Sequence, residues 1–246
     1  MAWVVSYIKF QKSKMKFSLV IPCYNEAQNI PLLLERCSKI IVEDQIEVIL
    51  VDNGSTDETQ EVLKNNINKY SFCRSVKVTK NEGYGNGILA GLHSANGKIL
   101  GWTHADMQTD PVDIITGLKY FDAYKDEVFC KGRRYGRPIT DIFFTFCMSI
   151  FESLFMRKML WDINAQPTMF TKNFFQTWDD PPRDFSLDLY AYFMAKEKGL
   201  KIIRFPVFFG DRAFGVSHWN IGLKSRYNFI KRTLIYSAKL RQKMRK

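Results

Sequence analysis

The chain has 246 residues, 46% of them hydrophobic and 25% charged, with a formal charge of +11. That length and apolar share suffice for one sizeable core, and the charge calls for an anionic partner: nucleic acid, nucleotide phosphates or an acidic membrane surface. The excess gathers after Trp219, where Lys224, Arg226, Lys231, Arg232, Lys239, Arg241, Lys243, Arg245 and Lys246 meet no acid, which argues against a nucleic-acid domain basic over a whole face.

In chain order, apolar β runs alternate with helical stretches, the pattern of an α/β protein with a mostly parallel sheet. The opening MAWVVSYIKF has no basic region ahead of its apolar stretch and does not read as a signal peptide. Strands are expected at FSLVIP, IEVILVD, SVKVTK and KILGWT. Helices are expected at AQNIPLLLERCSKII, after the turn NGSTDE with Ser55 or Thr56 as cap, at ILAGLHSA, and after Pro111. Further on, EVFCKG, PTMFT and KIIRFPVFF read as strands. Pro138–Leu160 reads as an apolar helix or helix pair, and FSLDLYAYFMAKEKG as a helix with a glycine stop. The most apolar run, Ile142–Phe151, lies between Asp141 and Glu152 and falls short of the roughly 18 residues of a transmembrane helix. The cysteines Cys23, Cys37, Cys73, Cys130 and Cys147 show no CxxC pair, so reduced thiols are expected, with no disulfide or zinc framework.

Ligands of an open parallel sheet bind beyond the carboxyl ends of its strands. The residues there are CYNE (Cys23–Glu26), DNGSTD (Asp52–Asp57), NEGYGNG with Gly83, Gly85 and Gly87, and HADMQTD (His104–Asp110). Polar and acidic groups thus converge on one edge. The glycines permit either tight turns or close approach of a phosphate. His104, Asp106 and Gln108 alternate, so in an extended segment they point the same way and could hold a divalent ion against a diphosphate. The plainer reading has Asp106 and Asp110 capping the helix that Pro111 opens.

Taken together, FSLVIPCYNE, VDNGSTDET, NEGYGNGILAGLHSANGKILGWTHADMQTDP and the later Arg212, Gly215 and Ser217 resemble family 2 glycosyltransferases of the GT-A fold. The dolichol-phosphate mannosyltransferase and polyprenyl-phosphate glycosyltransferase group is the most similar. The resemblance runs from about Phe17 to Trp219 and implies one domain over 17–219. A nucleotide-binding half at 17–125 and an acceptor half at 126–219 precede a basic helix at 220–246. It implies that Pro22, Tyr24, Asn25, Glu26 and Asp52 hold the nucleotide sugar, with Asn53 where the family has a second acid. It places a metal, Mn²⁺ or Mg²⁺, at His104, Asp106 and Gln108. His104 stands for the family's first acid, and imidazole favours Mn²⁺. Arg133 or Arg134 inherits a phosphate-binding role, Asp188 a carboxylate facing the acceptor, and Arg212 the late family arginine, while His218 replaces a frequent lysine.

The chemistry implied is inverting transfer of a sugar to a membrane-associated acceptor in cell-surface glycan or glycolipid synthesis. A polyprenyl phosphate acceptor needs arginines to position it; a hydroxyl acceptor needs a base, for which Asp188 is the candidate. From Leu223 on, Tyr227, Ile230, Leu234 and Ala238 alternate with basic residues, a basic amphipathic helix suited to an anionic interface. The chain is therefore expected at the inner face of the cytoplasmic membrane, with no nucleic-acid partner. A non-catalytic nucleotide-sugar or nucleic-acid binding protein is the rival class. A nucleotidyltransferase would carry a glycine-rich basic loop after its first strand, and CYNEAQNIP is neither.

Overall fold

The computed structural model describes residues 17–40, 45–215 and 223–243, with side chains from Ile230 onward in the last stretch. MAWVVSYIKF, Ser217, His218 and Trp219 lie outside the described residues, as does the Tyr227 side chain. The strands are β1 (Phe17–Cys23), β2 (Ile46–Asn53), β3 (Cys73–Val78), β4 (Ile99–Trp102), β5 (Val128–Tyr135), β6 (Thr168–Thr171) and β7 (Lys201–Phe208). They form one sheet in the order β3-β2-β1-β4-β6-β5-β7. All neighbours run parallel except β6, which is antiparallel to β4 and β5.

The helices are α1 (Ile30–Ser38), α2 (Thr59–Ile67), α3 (Tyr84–Ser94), α4 (Ile114–Tyr124), α5 (Ile139–Met156), α6 (Lys172–Gln176), α7 (Leu187–Glu197) and α8 (Leu223–Lys243). Both faces of the sheet are covered. Along β1, Phe17, Leu19, Ile21 and Cys23 enter a core with α1 and α4, while Val20 enters the opposite core with α3 and α7. This is the two-residue alternation of a strand buried on both sides. Because β2 and β3 lie on one side of β1 and β4 on the other, the loops after β1 and β4 part at a crevice, where such sheets bind ligands.

Two elements differ from their expected form, and a third is decided between the two forms left open. Helix α3 starts at Tyr84, so the glycine segment forms its first turn rather than a preceding loop. Pro138–Leu160 yields one helix, not a pair, and Arg157 ends it in the left-handed region at φ 55. The apolar side of α8 is also not the expected one. Ala238 is exposed, whereas Ser237 and Leu240 are buried, Leu240 joining the core that contains Met156 of α5.

The α5–α8 junction has a polar lock at its centre. The Ser237 hydroxyl donates to Glu152 Oε2 at 2.7 Å, and Glu152 is wholly buried. Burial pushes the Glu152 carboxyl up to about 7, against the Ser237 hydrogen bond. The folded state thus keeps a proton that the unfolded chain releases near 4.5. The resulting stabilisation is complete below that value and is lost as pH rises through the folded pKa. Glu152→Gln, which cannot ionise, is expected to equal the wild type in unfolding free energy from urea titration near pH 4 and to exceed it by about 3 kcal/mol near pH 8. A difference that stays constant with pH would contradict this lock.

Candidate active site

The turn after β1 is fastened to the turn after β2. Asn25 stands in the left-handed region at φ 57 and accepts the Thr56 N–H at 2.9 Å. Its own N–H donates to Ser55 Oγ at 3.2 Å, and the Glu26 N–H donates to Thr59 Oγ1 at 2.9 Å. Ser55 and Thr56, expected to cap α2, serve this junction instead. The helix starts later, at Thr59, whose N–H bonds Asp57 Oδ1 at 3.0 Å. Asp52 is buried and accepts the Ser55 N–H at 2.9 Å. Asn53, also buried, donates to the Gly83 carbonyl at 2.9 Å and leaves its Oδ1 without a partner. Pro22 lies within β1, and Tyr24 is exposed.

The glycines expected near a phosphate have another task. A Cβ on Gly83 would sit 2.5 Å from the Arg183 carbonyl oxygen, and one on Gly85 2.6 Å from that of Asp184. The Asn86 N–H donates to the Arg183 carbonyl at 2.8 Å. Gly83 and Gly85 therefore admit the backbone of residues 182–184; protein, not ligand, fills that space.

The segment after β4 is bent rather than extended, because Met107 is left-handed at φ 60. His104, Asp106 and Gln108 do not line up as alternation predicts. The Gln108 N–H folds back onto Asp106 Oδ1 at 3.1 Å, and its side-chain amide donates to the Gly210 carbonyl at 3.1 Å. Capping falls to Asp110 alone, which accepts the Val112 N–H at 2.9 Å and pairs with Arg36. Asp106 is left to the crevice, where Arg212 meets its Oδ2 at 2.9 Å. Glu26 is close by. Burial raises its carboxyl above the ordinary range and Asp106 adds to that, against the hydrogen bond from Asn29 and the charge of Arg212. His104 is half-buried, its ring stacked on Tyr84 at 5.4 Å. Burial lowers its pKa against the pull of Asp106 and Asp188, so the imidazole is neutral at neutral pH and keeps a lone pair.

Beneath His104 lies a buried pair that the sequence reading missed. Lys131 on β5 has no exposed surface, and its ammonium donates to Thr168 Oγ1 at 2.7 Å and to Asp188 Oδ1 at 3.3 Å. Gln166 donates to the same carboxylate oxygen at 2.8 Å and to the Tyr84 hydroxyl at 3.2 Å. Asp188, expected to face the acceptor, is thus buried on α7 with a lysine as partner. Burial pushes Lys131 down to about 8 despite that carboxylate.

A second cationic group closes the end of β5. Arg134, Arg137 and Arg204 surround the carboxylate of Asp162, and Asp141 also acts on Arg137, so the group keeps a net positive charge. Arg137 also donates to the Asp141 carbonyl at 2.7 Å and to Thr145 Oγ1 at 2.6 Å, both on α5. Arg134 is close enough to depress the His104 pKa, whereas Arg133 is exposed.

Residues 18–146 match the model of glycosyl transferase family 2. The chain belongs to that family. It is 36% identical over 102 residues to the undecaprenyl-phosphate 4-deoxy-4-formamido-L-arabinose transferase of Yersinia enterocolitica, covering 40% of this chain and 31% of the relative. It is 34% identical over 103 residues to the dodecaprenyl-phosphate galacturonate synthase of Rhizobium johnstonii, covering 41% and 30%. The chain spans about a third of the length of these curated relatives. Its fold is similar to a mannosyltransferase from Pyrobaculum calidifontis in complex with GDP-Man and Mn²⁺, at TM-score 0.65 and 18% identity over 85% of this chain and 60% of that one. It is also similar to glucosyl-3-phosphoglycerate synthase from Mycobacterium tuberculosis, at TM-score 0.69 and 17% identity over 91% and 80%. The fold is GT-A.

In this family 2 chain Lys131 falls within the matched residues and its partner Asp188 beyond them. Lys131→Met leaves a carboxylate buried without a counter-charge, which is expected to cost about 3–5 kcal/mol in chemical denaturation. Adding Asp188→Leu is expected to recover most of that. A loss below about 1 kcal/mol, as for an exposed pair, would show that the two charges do not depend on each other.

Proposed function

We propose that this chain is an inverting glycosyltransferase that moves a sugar from a nucleotide-sugar donor to a polyprenyl phosphate at the cytoplasmic face of a membrane, in cell-surface glycan or glycolipid synthesis. The observation that carries the choice of acceptor is the pairing of Asp188 with Lys131 at 3.3 Å. A hydroxyl acceptor requires a base, and the carboxylate expected to serve as one is tied to a lysine and a glutamine. A phosphate acceptor is already anionic and needs only cations to place it. The excess charge of Arg134, Arg137 and Arg204 supplies them, with Arg133 exposed beside them. Both curated relatives named above carry a polyprenyl phosphate in their names.

On the donor side, Pro22, Tyr24, Asn25, Glu26 and Asp52 take the nucleotide, and the unpartnered Oδ1 of Asn53 accepts from it. Arg212, in contact with Asp106, is placed to turn to the diphosphate. Among the described residues no three His, Cys, Asp or Glu side chains cluster tightly enough to hold a metal by themselves. One carboxylate and one neutral imidazole, Asp106 and His104, would nevertheless suit a divalent cation, with the side-chain oxygen Oε1 of Gln108 as a further donor. A cation there would offset charge on the departing diphosphate. The crevice itself orients the donor, and the arginines bring the acceptor oxygen to the anomeric carbon opposite the leaving group.

The membrane contact of the basic α8 gains a second surface in α5. Ile139, Phe143 and Leu154 are 84%, 67% and 75% exposed, far beyond what a core helix leaves uncovered. Eighteen residues make α5 long and apolar enough to cross a membrane by length and composition, but at about 27 Å and packed along one side by α8 it suits an interfacial position. Arg241 of α8 lies 5.2 Å over Phe155 of α5, so basic and apolar surfaces adjoin. The arginine group meets the first turns of α5 through Arg137, which sets the phosphate of a lipid beside the surface for its chain.

The test is transfer from a panel of labelled nucleotide sugars, with Mn²⁺, to undecaprenyl phosphate and to the matching unphosphorylated polyprenol. Product is expected with the phosphate alone and is expected to fall at least ~100-fold in Arg134→Ala. Equal transfer to the free alcohol would overturn the reading.

A further inference from the structure

A cavity of about 270 Å³ lies between α8 and the turn that leads into α7, lined by Asp184, Lys231, Arg232, Ile235, Tyr236 and Lys239. It is separate from the crevice between β1 and β4 and from the arginines around Asp162. Three cations face the carboxylate of Asp184, and Asp180 also acts on Tyr236, so the lining keeps a net positive charge. Among the described residues, neither Lys231 nor Lys239 has a hydrogen-bond or ion-pair partner. The carboxylate does not satisfy the cations. Asp184 Oδ1 accepts the Ser186 N–H at 2.8 Å in the turn before α7, and Oδ2 is 3.8 Å from Arg232, beyond hydrogen-bond length.

One wall of this open cavity is preformed. The Arg232 guanidinium rests on the face of Phe185 at 5.5 Å, and Phe185 stacks on Tyr84 at 4.7 Å and 10°. Tyr84 is in turn anchored by Gln166. The guanidinium is therefore held in place before any ligand arrives, which lowers the ordering cost of binding. Burial raises the Tyr236 phenol well above its ordinary range, so it offers a hydroxyl donor at any physiological pH. One held guanidinium, two unpaired lysines and a neutral hydroxyl suit the charge and hydrogen-bonding needs of a tetrahedral phosphate.

We propose that this cavity binds a phosphate group, supplied by an anionic lipid headgroup or by free phosphate. The site is distinct from the transferase centre, and its occupation needs neither donor nor acceptor.

The test uses the full chain in two arms. In one, inorganic phosphate is titrated in by calorimetry. In the other, the protein is sedimented with vesicles of equal parts phosphatidylglycerol and phosphatidylcholine, and with phosphatidylcholine alone, so that the ratio of the two removes any contribution from the apolar face of α5. Lys231→Gln combined with Lys239→Gln is compared with Lys64→Gln combined with Lys98→Gln, which removes the same charge elsewhere. All four lysines are exposed, so both variants are expected to keep the wild-type melting temperature. The cavity variant is expected to lose about ten-fold or more in phosphate affinity or in the vesicle ratio, and the control less than about two-fold. Loss in the vesicle arm alone assigns a lipid headgroup; loss in both arms assigns free phosphate as well. Equal losses in the two variants, or no binding of either probe by the wild type, would overturn the proposal.

Discussion

A lysine and an aspartate buried against each other hold the centre of this molecule. Taking both charges out of water costs several kcal/mol apiece, and Lys131 and Asp188 recover it only because Thr168 and Gln166 complete their hydrogen bonds. The pair joins β5 to β6 and to α7, whose residues from Leu187 to Ala195 are all buried. Through Gln166 it also fixes Tyr84, the first residue of α3, and with it the ring on which His104 stacks. Removing the lysine would therefore loosen the floor of the crevice and the packing of the second half together.

Above that floor the charges separate by side. Acids gather where β1, β2 and β4 end: Glu26, Asp52 and Asp106, with Arg212 brought in from the loop after β7. Cations gather at the end of β5. On the proposed reading the first set takes a nucleoside diphosphate with its counter-ion, and the second a bare phosphate. The loop after β7 ties the two sides, since the Gly210 N–H donates to the Gln108 carbonyl and the Phe209 N–H to that of Tyr135. Arg134 lies over Phe209 at 5.2 Å, so the same loop also backs the cationic side.

The first half was largely legible from sequence. Near-continuous apolar strands followed by CYNE, DNGSTD and HADMQ placed the crevice, because strand ends in a parallel sheet share one edge. Side-chain assignments within those loops were not legible. Ser55 and Thr56 look like helix caps, yet Asn25, thirty residues earlier, claims them. Alternation put Gln108 beside Asp106 until a left-handed methionine turned the chain. Gly83 and Gly85 could serve a phosphate or a neighbouring chain, and residues 182–184, a hundred positions away, decide it. For Lys131 a signal existed: a lysine inside the apolar run EVFCKG has to be buried with a partner. The partner, Asp188, could not be paired with it without the fold. Arg137 and Arg204 were invisible for the same reason, since only the strand order brings them to Asp162.

The central claim is that Asp188 supports structure and is not the base of the reaction. Single-turnover transfer to undecaprenyl phosphate by the double variant Lys131→Gln, Asp188→Asn, which removes both charges while keeping hydrogen bonds, tests it most directly. The account predicts a rate within about ten-fold of wild type once the variant is shown to be folded. A loss of about 10²–10⁴, the size of a missing general base, would contradict it.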